Sequence, residues 1–295
     1  MKTERNILIA FILNALFSIF ELIGGLFTNS ISIISDAIHD FGDAISIGIS
    51  YILEKKSKKK PDKKYTYGYL RYTVLGALIT TSILIISSII VITEAIKRLV
   101  NPIDINHNGM IMFAIFGVIV NSLAIYFTKE GESLNQKAVN LHMMEDVLGW
   151  IAVLIGAILI KFTDITIIDP IMSIIVSTYI LINALKNLKN IIDIFLEKTP
   201  NNISIDKISK QILALDNVKD IHHIHIWTID GYNNYATMHI VTTKNNHNIK
   251  DNIRKILNEN NIKHITIELE NNDEICHEKD CNLSLDNNHH HHHNH

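Results

Sequence analysis

Residues 35–43 read S-D-A-I-H-D-F-G-D. They lie inside an apolar run, residues 31–53, long enough to cross a bilayer as a helix, for which ~20 residues suffice. His39 and Asp43 are four apart, so a helix stacks them one turn above the other on one face, with Asp36 and Asp40 on the same stripe. Each charged group at the centre of a membrane costs at least ~2.5–3.5 kcal/mol, which makes such a stripe a functional signal. The pattern recurs at His142 and Asp146, with Glu145 beside them, near the start of another apolar run. Two such helices facing each other offer two imidazoles and two carboxylates to one cation.

The composition agrees with a membrane protein. Of 295 residues, 47% are hydrophobic and 19% charged, and the mean hydropathy is +0.19. The apolar residues concentrate before Pro200. Six runs, residues 7–27, 31–53, 72–96, 110–128, 139–161 and 168–191, predict six spanning helices, because a chain in lipid must satisfy its own backbone hydrogen bonds. The first run is too long for a signal-peptide core and is expected to be retained. A net charge of −3 gives no reason to expect nucleic acid. Cys276 and Cys281 both lie in the tail, which is no disulfide framework and suits a reducing compartment.

Basic residues set the expected orientation. Lys55, Lys56, Lys58, Lys59, Lys60, Lys63, Lys64 and Arg71 follow the second run, Lys129 and Lys137 the fourth, and Lys186, Lys189 and Lys198 the sixth. By the positive-inside rule both termini are expected in the cytoplasm of a multi-pass plasma-membrane protein. Asn14, Glu21 and Asn121 are polar residues within spans and are expected to face the bundle interior.

The repeated H-x-x-x-D points to a metal. Zn²⁺ takes four ligands from imidazole, thiolate and carboxylate in a tetrahedron. Two neutral His and two Asp carboxylates around it sum to zero charge. The emptied site would carry −2, which a low dielectric opposes, so it must take up protons or open to water. Protons and metal compete for the same lone pairs. The lack of Cys in the spans argues against Cu(I), and the presence of His argues against Mg²⁺ and Ca²⁺.

Asn14, Glu21, Gly25, Asn29, Ser30, Ser35, Asp36, His39 and Asp43 at their spacings resemble the cation diffusion facilitator family, zinc-transporting type. So do P-D-K-K-Y-T-Y-G-Y-L-R at residues 61–71, His142, Asp146 and Gly149, the pair Asp169-Pro170, Val218, and H-H-I-H-I-W at 222–227. The resemblance implies a homodimer exporting Zn²⁺ in exchange for protons, by alternating access around His39, Asp43, His142 and Asp146. Asp40 is an acid which the family pattern does not require, and Trp150 stands where a small residue is usual.

After Pro200, Ser204 offers a helix N-cap, and Ile205, Ile208, Ile212 and Leu215 follow at helical spacing. Residues 218–229, 235–243 and 264–269 read as strands and 249–257 as a helix, giving an αββαβ order in an α+β domain. The family has a ferredoxin-like domain here, through which its members dimerise. By family position His222, His239, His247, His264 and Glu270 resemble cytoplasmic zinc ligands, to which Cys276 and Cys281 could add soft donors. The expected division is therefore a six-helix transmembrane domain (1–199), a cytoplasmic domain (200–275) and a Cys/His-rich tail (276–295) read as disordered by composition. Zn²⁺, with Cd²⁺ or Co²⁺ as further candidates, is expected as substrate and regulatory ligand rather than as a cofactor. A metalloenzyme fits less well, since four matched ligands leave no open coordination position. A sensor without transport would not need the buried site.

Overall fold

The computed structural model describes residues 2–28, 31–101, 107–129, 133–163, 167–243 and 247–271; the side chains of residues 2, 25, 27, 28, 31–36, 38, 39, 107–110, 157, 160–163, 168, 169 and 247 lie outside that description. The chain divides into two compact units, Met1–Leu196 and Glu197–His295.

The first unit contains α1 (Lys2–Thr28), α2 (Ile31–Ser57), α3 (Arg71–Val100), α4 (His107–Thr128), α5 (Leu134–Thr163) and α6 (Ile168–Phe195). The shortest, α4, has 22 residues and rises about 33 Å, enough for a hydrocarbon core of about 30 Å. Among the described residues, five helices hold segments long and apolar enough to span: Thr3–Gly24, Arg71–Val100, Ile111–Thr128, Leu134–Gly156 and Pro170–Phe195. α2 is as long as its neighbours, and its acids lower its hydropathy. From Asp43 to Ser57 its acids and hydroxyls turn inward. Asp43, Ser46, Ser50, Glu54 and Ser57 are each at most 5% exposed, while Phe41, Ile45 and Ile52 are more than half exposed. This reverses the partition of a helix in water and is what lipid demands.

α5 is central and packs against α1, α2, α3, α4 and α6. Ile7, Ala10, Ile47, Ala124, Val139 and Met143 form one core among α1, α2, α4 and α5. Val74, Ala77, Ala138, Ile191 and Ile194 form another among α3, α5 and α6. Trp150 on α5 meets Phe17 of α1 edge-on, with ring centroids 5.6 Å apart. Its indole lies over Gly117 of α4, where a β-carbon would come within 2.6 Å of the ring. The larger residue at 150 is thus matched by the absence of a side chain opposite.

The second unit contains α7 (Ile205–Leu213), β1 (Val218–Thr228), β2 (Asn234–Thr242), α8 (His247–Glu259) and β3 (Ile262–Asn271). Ser204 caps α7, its Oγ accepting from the Lys207 N–H at 3.3 Å. Asp230 closes the β1–β2 turn by accepting from the N–H groups of Tyr232 and Asn233 at 3.0 and 2.7 Å. The sheet order is β1-β2-β3, with β1 antiparallel to β2 and β2 parallel to β3. α8 supplies the crossover that a parallel pair needs. Ile208 and Ile212 of α7 and Ile253 and Leu257 of α8 pack with Ile226, Ala236, Met238 and Ile240 of the sheet. The alternation of a strand therefore puts Tyr235, Thr237 and His239 on the face away from the helices.

Candidate metal centre

Asp43 on α2 and His142 and Asp146 on α5 converge inside the bundle. One donor atom from each lies within 4.8 Å of the others. His142 Nε2 is 3.5 Å from Asp43 Oδ1. Zinc bonds of ~2.1 Å in a tetrahedron put neighbouring donors about 3.4 Å apart, so this pair already stands at a coordination spacing. His142 and Asp43 are almost wholly buried. Among the described residues, neither ring nitrogen of His142 finds a hydrogen-bond partner, and neither does Asp146 Oδ2. Buried polar atoms are ordinarily hydrogen-bonded, so a convergent set without such bonds is what a cation site provides. His39 lies on α2 one turn before Asp43, and its side chain falls outside the described residues.

The neighbouring acids differ in engagement. Glu145 Oε1 accepts from Ser88 Oγ of α3 at 2.9 Å. Asp40 is half-buried, and its charge, like those of Asp43 and Glu145, acts on Asp146.

The inward stripe of α2 continues past Asp43 through Ser46 and Ser50 to Glu54, at spacings of three and four. Glu54 binds three elements together. Its Oε2 accepts from Thr73 Oγ1 in the first turn of α3 at 2.9 Å, from Ser133 Oγ at 3.1 Å and from Asn135 Nδ2 at 3.4 Å. Ser133 Oγ accepts in turn from the Gln136 N–H at 3.0 Å, at the start of α5. Asn135 Nδ2 donates to the Ser50 carbonyl at 2.8 Å, and Ser50 Oγ donates to Asn135 Oδ1. This network fixes the ligand-bearing helices α2 and α5 against each other. Glu54 adjoins Lys55 and Lys56 and resembles the charged end of a span; the continuous stripe from Asp43 was the available signal.

In the second unit, His222, His239 and Glu270 form another convergent group, with one donor atom of each within 4.8 Å of the others. His222 and His239 are paired across β1 and β2. His239 Nδ1 donates to Glu270 Oε1 at 2.6 Å, and His222 Nε2 is 3.2 Å from Glu270 Oε2. A bulge between His222 and His225, with His223 at φ +53°, brings a further imidazole in: His223 stacks on His239 with ring centroids 4.9 Å apart. His225 touches His223 edge-on, and burial pushes its pKa below the usual histidine value. His264 stands elsewhere, paired with Tyr235, four residues along β2 from His239 and hence ~13 Å away. The His247 side chain, Cys276 and Cys281 lie outside the described residues.

Residues 7–196 match the cation efflux transmembrane domain, and residues 200–272 match the cytoplasmic domain of cation efflux proteins. The chain is 34% identical to a cadmium, cobalt and zinc/H(+)-K(+) antiporter of Bacillus subtilis, covering 90% of this chain and 89% of that one. It is 32% identical to the zinc transporter ZitB of Pectobacterium atrosepticum, over 96% and 90%. It is 33% identical to the metal cation efflux system protein CzcD of Cupriavidus metallidurans, over 81% and 76%.

Proposed function

The chain belongs to the cation efflux family, the cation diffusion facilitators, and from that premise we propose that it is a secondary transporter exporting Zn²⁺ from the cytoplasm in exchange for protons. The observation that carries this reading is the convergence of Asp43, His142 and Asp146 inside a membrane bundle, with His142 and one oxygen of Asp146 lacking hydrogen-bond partners among the described residues. His39, one turn from Asp43, completes a His₂Asp₂ set. With the metal bound, the ligands and ion are neutral together; with it gone, they retain two negative charges in a low dielectric. Protons restore neutrality, so metal release and proton uptake are one event. An imidazole titrates near neutrality and lets a pH gradient act at the ligands. Alternating access requires α2 and α5 to open first to one side and then to the other.

The relatives named as cadmium, cobalt and zinc antiporters and zinc transporters support this substrate class. Cd²⁺ and Co²⁺ are secondary substrates, since an N/O site does not by itself exclude them. The protein acts as a homodimer in the plasma membrane with both termini cytoplasmic. The cytoplasmic His222, His239 and Glu270 group binds Zn²⁺ as a regulatory ligand, linking cytoplasmic metal to the transport cycle. The test is zinc and proton movement recorded together in sealed proteoliposomes. The reading requires a zinc flux that rises with the pH gradient and an opposite proton flux that stops when zinc is withheld. Zinc binding without either flux would make the protein a sensor.

A further inference from the structure

The connector between α2 and α3 is a folded element. Asp62 organises it: its carboxylate accepts from the N–H groups of Lys64 and Tyr65 at 2.9 and 3.0 Å, from Tyr69 Oη at 2.7 Å and from Lys59 Nζ at 3.2 Å. These donors hold the Asp62 carboxyl far below the usual carboxylate range, so it stays ionised at any physiological pH. Gly68 turns the chain at φ +81° and packs on Pro61. Tyr65, Tyr69 and Tyr72 stand in a row, with centroids 4.4 Å apart for the first pair and 5.7 Å for the second.

On this frame the charge is unbalanced. Residues 55–71 hold eight cations and Asp62 as the one acid. Four cations are engaged: Lys58 with Glu4 at 3.2 Å, Lys59 with Asp62, Lys56 over the Tyr72 ring at 4.3 Å, and Arg71 at the start of α3. The exposed side chains of Lys55, Lys60, Lys63 and Lys64 meet no acid or acceptor among the described residues. Tyr65 and Tyr67 are about half exposed beside them. The element joins two membrane helices through 13 residues (58–70) and therefore lies at the bilayer surface. Tyrosine favours that depth, and juxtamembrane lysines are drawn to anionic lipid. A topology signal needs only the number of lysines; it does not require a loop tied down by its own acid.

We propose that the α2–α3 connector is a docking surface for the phosphate headgroups of anionic phospholipids, with Lys55, Lys60, Lys63 and Lys64 as the contacting cations on a frame held by Asp62 and Tyr69. The headgroup sits next to the end of α2, the helix that carries Asp43.

The test uses the full chain in nanodiscs of phosphatidylcholine with about a third phosphatidylglycerol, and counts co-purifying lipid by native mass spectrometry. Wild type is expected to retain phosphatidylglycerol selectively. Lys55→Gln/Lys60→Gln/Lys63→Gln/Lys64→Gln should reduce that enrichment at least about fivefold, and about 0.5 M salt should weaken it in wild type. Size exclusion confirms that the variant, which keeps Lys56, Lys58, Lys59 and Arg71, is folded as the wild type is. Tyr69→Phe keeps every charge and removes the O–H on Asp62; it is expected to lower the enrichment about twofold. Equal enrichment in wild type and the fourfold variant overturns the proposal, as does displacement of the lipid by millimolar inorganic phosphate. Unchanged enrichment in Tyr69→Phe overturns the role of the frame.

Discussion

His142 Nε2 on α5 stands 3.5 Å from Asp43 Oδ1 on α2, both nearly inaccessible to solvent, and the imidazole has no hydrogen-bond partner among the described residues. The pair bridges two helices of the bundle at the spacing of neighbouring ligands on one tetrahedral ion.

Removing the imidazole should cost metal before it costs structure. His142→Ala is expected to weaken zinc binding by on the order of 100-fold or more, since even indirect supports of a metal site cost 10–100-fold. Titration calorimetry of the detergent-solubilised dimer reads this directly. An unchanged affinity for the buried ion would remove His142 from the site.

The ligand chemistry at residue 39 should set selectivity. His39→Asp replaces nitrogen by oxygen and shortens the side chain, which favours a larger ion. The Cd²⁺ to Zn²⁺ flux ratio is expected to rise. A ratio equal to wild type would place residue 39 away from the metal.

Glu54 should matter through the helices it joins. Glu54→Ala leaves the Thr73 and Ser133 hydroxyls without their acceptor in a buried network, at a cost of about 2–4 kcal/mol. Glu54→Gln retains an acceptor oxygen and should cost less. Thermal unfolding followed by tryptophan fluorescence distinguishes the two. Equal melting temperatures for all three proteins would show that the network contributes no stability.

The cytoplasmic group should respond separately. Glu270→Gln removes a negative ligand from His222 and His239 and leaves the bundle untouched. Zinc stoichiometry per chain is expected to fall by one, while flux at saturating zinc persists. The same stoichiometry in variant and wild type would leave this group a hydrogen-bonded cluster only.

Much of this was written in the chain. That Asp43, His142 and Asp146 come together was legible because helical spacing converts a sequence interval directly into a shared face, and because ionisable groups within apolar runs are rare. The helix–strand order after Pro200 was legible from Ser204 and the isoleucine spacing. Strand register was not. His264 and Glu270 looked equivalent as candidates, yet the parallel pairing sets His264 beside Tyr235 and brings Glu270 to His239. The bulge that brings His223 onto His239 depends on one residue in the left-handed region, which an H-H-I-H run does not announce. Glu54 was hidden for a related reason: its partners Thr73, Ser133 and Asn135 come from the starts of α3 and α5, and single hydroxyl and amide side chains carry little signal.

The most direct test is zinc flux into sealed proteoliposomes under an imposed pH gradient, comparing wild type with Asp43→Ala and Asp146→Ala, each shown to be a folded dimer by size exclusion. A shared, transported ion requires that both variants fall to the rate of protein-free vesicles while the wild type transports. Transport at the wild-type rate by either variant would contradict it.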